Sequence, residues 1–329
     1  MGTTTKPVLL DSGKAVGASI GLGIVLAYMP MFSVFAVPAL PIPAAYITSR
    51  YGILAGLAIS LVVGAVCMAL TVPLIGVYAG LLIFMLMAMA GIGAGLALRH
   101  GISQFRLFVC MVAVFLAVLF LWLGTLLLIV GKTPVGAIES LVDSTAEPTR
   151  QIYTAVGMGQ EDIDSMVADF REFASSLPYL APALLLLVSL VFSWVNLAVA
   201  RRVFDWLSQP FPRDFTFRNF RVHWAIAYVF ILGLLCQLLS PYAPEIYAGA
   251  VEVTGANIYL ATSAIFFIQG LAVASFFLWS FKQSLGKKVA VYSVLVLLEL
   301  LLSLTMWMGL FDTWIDYRRR FIRKKMRGQ

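Results

Sequence analysis

An acid in the middle of an apolar run is the residue in this chain with most to explain. Glu299 stands near the centre of 289–310, where an ionised carboxylate facing lipid would be costly, so it must be protonated, paired or turned toward a polar cavity. The apolar runs offer it few partners: the amides of Asn196, Gln237, Asn257 and Gln269, and the indole N–H of Trp224. A carboxylate gathered with amides and an indole in an otherwise apolar bundle suits a pocket for a small polar or cationic solute. Glu299, Asn196, Gln269, Asn257 and Trp224 are therefore the candidate substrate-binding residues. The same set can also serve as buried hydrogen bonds that fix helix packing.

Other chemistry is missing. The sequence holds no phosphate-cradling loop, no metal-ligand spacing and no nucleophile with a base beside it, so no catalytic residue, metal or cofactor is expected, and no enzyme. His100 at a turn and His223 at the mouth of a span read as interfacial or structural. Cys67, Cys110 and Cys236 lie in apolar runs without CxxC or His spacing and read as small buried side chains. Gly91-Ile92-Gly93-Ala94-Gly95 sits late in an apolar helix with no strand before it, which excludes a dinucleotide fingerprint. Gly17/Gly21, Gly52/Gly56 and Gly91/Gly95 are small-xxx-small pairs, read as sites of close helix packing and, in a minority reading, as a docking face for another membrane subunit.

These residues must be carried by membrane helices. Of 329 residues, 61% are hydrophobic and only 12% charged, against about 45–50% and about 25% in a soluble domain, and the mean hydropathy is +0.95. Too few charges remain to cover a water-facing surface, which excludes a soluble enzyme, a nucleic-acid binder and a disulfide-built secreted domain. The net charge of +7 then reads as basic loops beside anionic headgroups.

A crossing helix needs about 20 mostly apolar residues. Eight runs qualify: 15–35, 53–71, 75–98, 106–131, 178–200, 222–240, 258–281 and 289–310. A ninth, 36–50, is short and carries Pro38, Pro41 and Pro43, so it is a broken span or a re-entrant segment. If it crosses, Lys6, Lys14, Arg50, Arg99, Arg106, the five arginines of 201–221 and Lys282, Lys287 and Lys288 share one side. The acid-rich connections 132–177 and 241–257 then fall on the other. This predicts a cytoplasmic N-terminus in a bacterial cytoplasmic (inner) membrane. No small-residue cleavage site follows the first span, which reads as a retained helix. One feature conflicts. Three apparent spans separate the arginines of 201–221 from the basic tail Arg318–Arg327, so either one of the three does not cross fully or the tail breaks the charge rule.

The expected fold is all-α, a polytopic transmembrane helix bundle of eight or nine spans with a short extracytoplasmic helical cap. Its parts are an N-terminal bundle (1–133), an amphipathic segment (134–177), a C-terminal bundle (178–311) and a basic tail (312–329). In the amphipathic segment, Val135, Ile138, Leu141, Val142, Ile152, Tyr153 and Val156 fall largely at helical spacing. After Gly157 and Gly159, Ile163, Met166, Val167, Phe170, Phe173 and Ala174 do so more clearly, opposite acids. Two helices are predicted, packed as a cap rather than lying in the headgroup layer, because their polar face is acidic. The tail interleaves Phe321 and Ile322 with cations, a pattern that anchors to lipid headgroups.

Leu177-Pro178 opening a span, Asn196 before Arg201-Arg202, and Phe220 with Trp224 opening the next run resemble the YybS-like family of predicted bacterial membrane proteins. Asn257 through Gln269-Gly270-Leu271, Gly309-Leu310-Phe311-Asp312 and Asp316-Tyr317-Arg318 resemble it too. The resemblance covers most of 15–320 in scattered positions and short phrases; segment 134–177 is longer than the family pattern needs. The family carries no established activity. Its layout is similar to the substrate-binding subunits of energy-coupling-factor vitamin transporters, which bind a vitamin or metal-related solute and dock on a transmembrane coupling subunit with two ATPases. What the resemblance implies is a solute-binding component of an uptake transporter, taking a small polar or cationic solute and partnered by such a coupling subunit or another membrane protein in the lipid bilayer. The rival expectation is a non-transporting membrane protein that assembles or regulates an envelope complex. Neither reading involves nucleic acid.

Overall fold

A computed structural model describes residues 5–131, 133, 135–136, 142, 150–154 and 157–327. Among the described residues every regular element is helical. They divide by contacts into two compact units, Met1–Ala181 with Val188–Asp214, and Pro182–Leu187 with Phe215–Gln329.

The first unit holds α1 (Thr5–Tyr28), α2 (Ser33–Ala39), α3 (Pro41–Tyr51), α4 (Ile53–Met85), a π-helical turn (Leu86–Gly91), α5 (Ile92–Arg99) and α6 (Gln104–Val130). The proline-bearing stretch left open by the sequence is its core. Leu40, Ala44, Ile47 and Thr48 are fully buried. Pro41 takes the first position of α3, where a missing N–H costs nothing, but Pro38, inside α2, still strips a donor from the helical ladder. Backbone left short of partners is tolerated at membrane depth only inside protein, so this segment is wrapped. Gly91 and Gly95 let the wrapping come close: a Cβ on Gly91 would lie 2.6 Å from that of Ala44, and one on Gly95 2.4 Å from that of Thr48. These glycines are thus occupied within the chain, which removes the minority reading of Gly91/Gly95 as a docking face.

Ser60 Oγ donates to the Met87 carbonyl at 3.4 Å. In a straight helix 27 residues span about 40 Å, so α4 is sharply bent between these two points. The Ser103 hydroxyl caps α6 by accepting the Arg106 N–H, and Gly131 closes it at φ +67°, the left-handed conformation that suits glycine.

Next comes α7 (Gln160–Trp206), 47 residues without a break. At 1.5 Å per residue it is about 70 Å long, against about 30 Å of hydrocarbon, so the second expected cap helix and the span after it are one rod. Ile163, Val167 and Ala174 are buried as anticipated, but Phe170 and Phe173 are more than half exposed. Ile138, Leu141 and Val156, and most of the first cap helix, lie outside the described residues.

The second unit holds α8 (Ala225–Leu239), α9 (Glu245–Ser280), α10 (Leu285–Leu302), α11 (Leu304–Ile315) and α12 (Tyr317–Arg327). Backbone meets backbone where α9 crosses α11: a Cβ on Gly309 would stand 1.9 Å from the Phe266 carbonyl oxygen, and one on Gly270 2.0 Å from that of Thr305. Phe230, Phe266, Met306 and Leu310 fill the core around this crossing.

The expected run 289–310 is broken. α10 and α11 meet at 98° through Ser303, whose φ is +53°. The ring of Phe281, before α10, lies 5.6 Å from that of Phe321, after α11. The chain entering and the chain leaving the bent pair therefore meet at one end of the unit, the arrangement of a re-entrant hairpin rather than of one straight span. Among the described residues five helices are long and apolar enough to cross a membrane: Gly80–Arg99, Gln104–Thr125, α7, Ala225–Tyr242 and α9, with the bent pair as a sixth only if counted as one span. Eight or nine were expected. The expected runs without a spanning helix among the described residues are 15–35, 36–50, 53–71, where the apolar helix is the shorter Ile53–Val66, and the bent 289–310. In fact α1 ends at Tyr28, and 36–50 is split between α2 and α3.

Two outcomes follow. Gly309→Leu forces α9 and α11 apart and lowers unfolding stability in detergent by about 1–3 kcal/mol or more, whereas Gly13→Ala, which meets open space, leaves the melting midpoint unchanged. In a background without native cysteines, Asn219→Cys and Lys324→Cys react with an impermeant maleimide from the same side of sealed vesicles and Tyr247→Cys from the other; labelling of 324 together with 247 would refute the hairpin.

Candidate functional site

Three buried polar residues of the second unit, Gln269, Asp312 and Arg318, gather toward the end where α9 stops and α12 begins. Gln269, 1% exposed, joins three segments. Its Oε1 accepts the Val222 N–H at 2.8 Å, and its Nε2 donates to the Gly309 carbonyl at 2.9 Å and to Thr313 Oγ1 at 3.2 Å. Beside it lies a buried ion pair. Arg318 Nη2 donates to Asp312 Oδ2 at 2.6 Å, with both side chains under 5% exposed, and Arg318 Nη1 donates to the carbonyls of Arg218 and Phe220, each at 2.9 Å. Asp312 Oδ1 accepts the Tyr317 N–H at 3.1 Å.

A second, shallower pair completes this end. Asp316 ends α11 in the left-handed conformation, φ +52°, and receives both terminal nitrogens of Arg221 with the N–H and Nε of Arg319. Burial pushes the Asp316 carboxyl up, but Arg221 and Arg319 hold it below the ordinary carboxylate range. The hydrogen bond to Asp316 raises Arg221 above its usual value, against the opposing effect of burial. Arg218 lies over the Trp279 ring at 3.9 Å, and Phe276, Phe277 and Phe281 surround Phe321. Residues 218–221, 276–281 and 316–321 thus share one end, which removes the conflict between the basic tail and the arginine-rich loop.

Within the second unit Glu299, Asn257, Trp224 and Gln269 each engage different partners. Glu299 is half-buried at the hairpin bend, and its Oε2 accepts the Met306 N–H at 2.9 Å, a first-turn donor of α11 with no partner within its own helix. Asn257 accepts the Ala183 N–H at 3.1 Å, one residue beyond Pro182 in α7, and donates to Val253 O at 2.9 Å. Trp224 is 58% exposed and packs edge-on against Tyr228, while His223 Nδ1 accepts the Ala225 N–H in the first turn of α8. Asn196 belongs to the first unit, where it donates to the Pro38 carbonyl at 2.6 Å. Gln269 alone lies in a polar cluster, and its neighbours there are Asp312 and Arg318.

Two clusters escaped the sequence reading. Asp312 and Arg318 were seen only as parts of a family phrase and a basic tail; an acid at the end of an apolar run, six residues before a cation, is the signal that could have found them. In the first unit Asp11, 8% exposed, accepts the hydroxyls of Tyr46 and Tyr51 at 3.1 and 2.7 Å and pairs with Arg50 at 3.0 Å. Burial opposes ionisation of Asp11, yet these partners lower its carboxyl. Burial and the bond to Asp11 push the Tyr51 hydroxyl up to about 12. Among the described residues no group of three or more His, Cys, Asp or Glu side chains could hold a metal ion.

The apolar helices and the hairpin define a polytopic, all-helical membrane protein. A model of the family described as "Predicted membrane protein (DUF2232)" matches residues 18–313, and the chain belongs to that family. No curated protein and no solved structure matches it.

Arg318→Leu, which leaves Asp312 buried and unpaired, costs about 3–5 kcal/mol of stability. The double variant Asp312→Leu/Arg318→Met recovers most of that in thermal unfolding in detergent. A double variant no better than the single one would show that the pair is not the source of the loss.

Proposed function

We propose that this protein is a non-transporting component that assembles or regulates a complex in the cell envelope, with the arginine-rich end of its second unit at the cytoplasmic face. The observation that carries the reading is where the polar groups go. The acid and amides that would have bound a solute are committed to backbone groups: Glu299 to Met306, Gln269 to Val222 and Gly309, Asn257 to Ala183, Asn196 to Pro38. Residues so engaged hold a framework. The positive-inside bias supplies the orientation in a bacterial inner membrane.

A second reading, the solute-binding component of a vitamin-like uptake transporter, is favoured by one specific feature. The re-entrant hairpin places two helix ends and a carboxylate at its tip, an arrangement that transporters use to hold ions and solutes.

Affinity purification from native membranes in mild detergent, followed by mass spectrometry, separates the two. The assembly reading expects an integral envelope protein in stoichiometric amount and no ATPase. Recovery of a transmembrane coupling protein with ATPases would overturn it in favour of the transporter.

A further inference from the structure

The end described above holds a half-open cavity of about 150 Å³ lined by Arg218, Asn219, Arg221, Arg318 and Arg319, with Phe276 and Ile322 on its apolar side. The space has room for a tetrahedral phosphate group of five heavy atoms. Four guanidiniums line the cavity, and the carboxylates paired with them are Asp312 and Asp316. The cavity therefore keeps a positive surplus. Each guanidinium has five N–H donors. Arg221 spends two on Asp316, and Arg218 rests on the Trp279 ring with no carboxylate partner among the described residues. The wall is rigid where it is buried: Arg318 is fixed by Asp312 and two carbonyls, and its Nε, also buried, has no acceptor among the described residues.

We propose that this cavity binds a phosphate group, presented by the headgroup of an anionic phospholipid. Guanidinium forks match phosphate oxygens in pairs, which accounts for the arginines. The lipid source follows from the lip. Ile322 is 44% exposed, Phe276 lines the cavity beside it, and Trp279, 54% exposed, marks this end as the level where aromatic side chains meet headgroups. An acyl chain leaving the cavity meets apolar side chains, and a basic pocket between helix ends at that level suits an anionic headgroup. The inference does not depend on whether the protein assembles a complex or binds a solute.

The test uses the full chain purified in detergent and examined by native mass spectrometry, with dioleoylphosphatidylglycerol, dioleoylphosphatidylcholine or inorganic phosphate as the probe. Wild type retains phosphatidylglycerol in preference to phosphatidylcholine. Arg218→Gln and Arg319→Gln each weaken that retention about fivefold. Arg323→Gln, the same change of charge outside the cavity, leaves it intact, and all three variants keep the wild-type melting midpoint without lipid. Equal loss in Arg323→Gln would reduce the effect to general attraction and overturn the pocket, as would retention that ignores lipid charge. A thermal shift with phosphate alone, without preference for phosphatidylglycerol, would overturn the lipid source and assign the cavity to a free oxyanion.

Discussion

Lipid offers no hydrogen bonds, so each interruption of a helix at membrane depth leaves N–H or C=O groups that only the protein can satisfy. The polar side chains of this chain are placed where such interruptions occur. Pro38 strips a donor from the ladder before α3, and Asn196 donates to the Pro38 carbonyl. Pro182 lacks an N–H within the unbroken α7, and Asn257 accepts the next N–H along. The hairpin bends at Ser303, and Glu299 accepts a first-turn N–H of the helix that follows. The chain enters α8 through an extended stretch, and Gln269 takes the Val222 N–H while donating to α11. One rule accounts for four residues that had looked like parts of a solute site.

The same constraint explains the glycines that work. Interrupted segments have to be wrapped by neighbours close enough to exclude lipid, and a backbone approaches another backbone only where no Cβ intervenes. Gly91 and Gly95 face α3 in this way, and Gly270 and Gly309 face one another's helices. Gly13, Gly17 and Gly21 follow the same spacing on α1 but meet open space, so small-residue spacing alone does not say which helix face is filled.

How much of this was legible in the sequence depends on the length scale of the signal. The apolar, all-helical character was plain, because composition sums over the whole chain, and the runs at 106–131, 178–200, 222–240 and 258–281 correspond to helices of spanning length. The hairpin was not, because a single serine at positive φ breaks the 289–310 run and hydropathy does not register a backbone angle. The polar residues were found, but not their partners. Sequence shows that an amide or acid within an apolar run needs a partner; whether that partner is a solute or a carbonyl, such as that of Pro38, 158 positions away, is fixed by tertiary packing. Asp312 and Arg318 were missed as a pair for a related reason: the six-residue spacing matches no helical face, and the left-handed residue at 316 brings them together.

The charge pattern and the hairpin explain each other. Seven cations follow Tyr317, and carrying them across the bilayer beyond three crossings would oppose both the membrane's cost for charge and the positive-inside bias. A helix that turns back at Ser303 keeps them on the side of the arginines at 218 and 221. The return must then be held, since α10 is largely exposed within its unit and contributes little packing of its own. The Asp312–Arg318 pair supplies that hold. Buried pairs contribute less to net stability than to fixing a unique arrangement, and here Arg318 also engages the carbonyls of Arg218 and Phe220, which joins the tail to the loop before α8. With this contact in place, 289–310 has to be a hairpin; a straight crossing would carry Arg318 to the far side, away from both carbonyls.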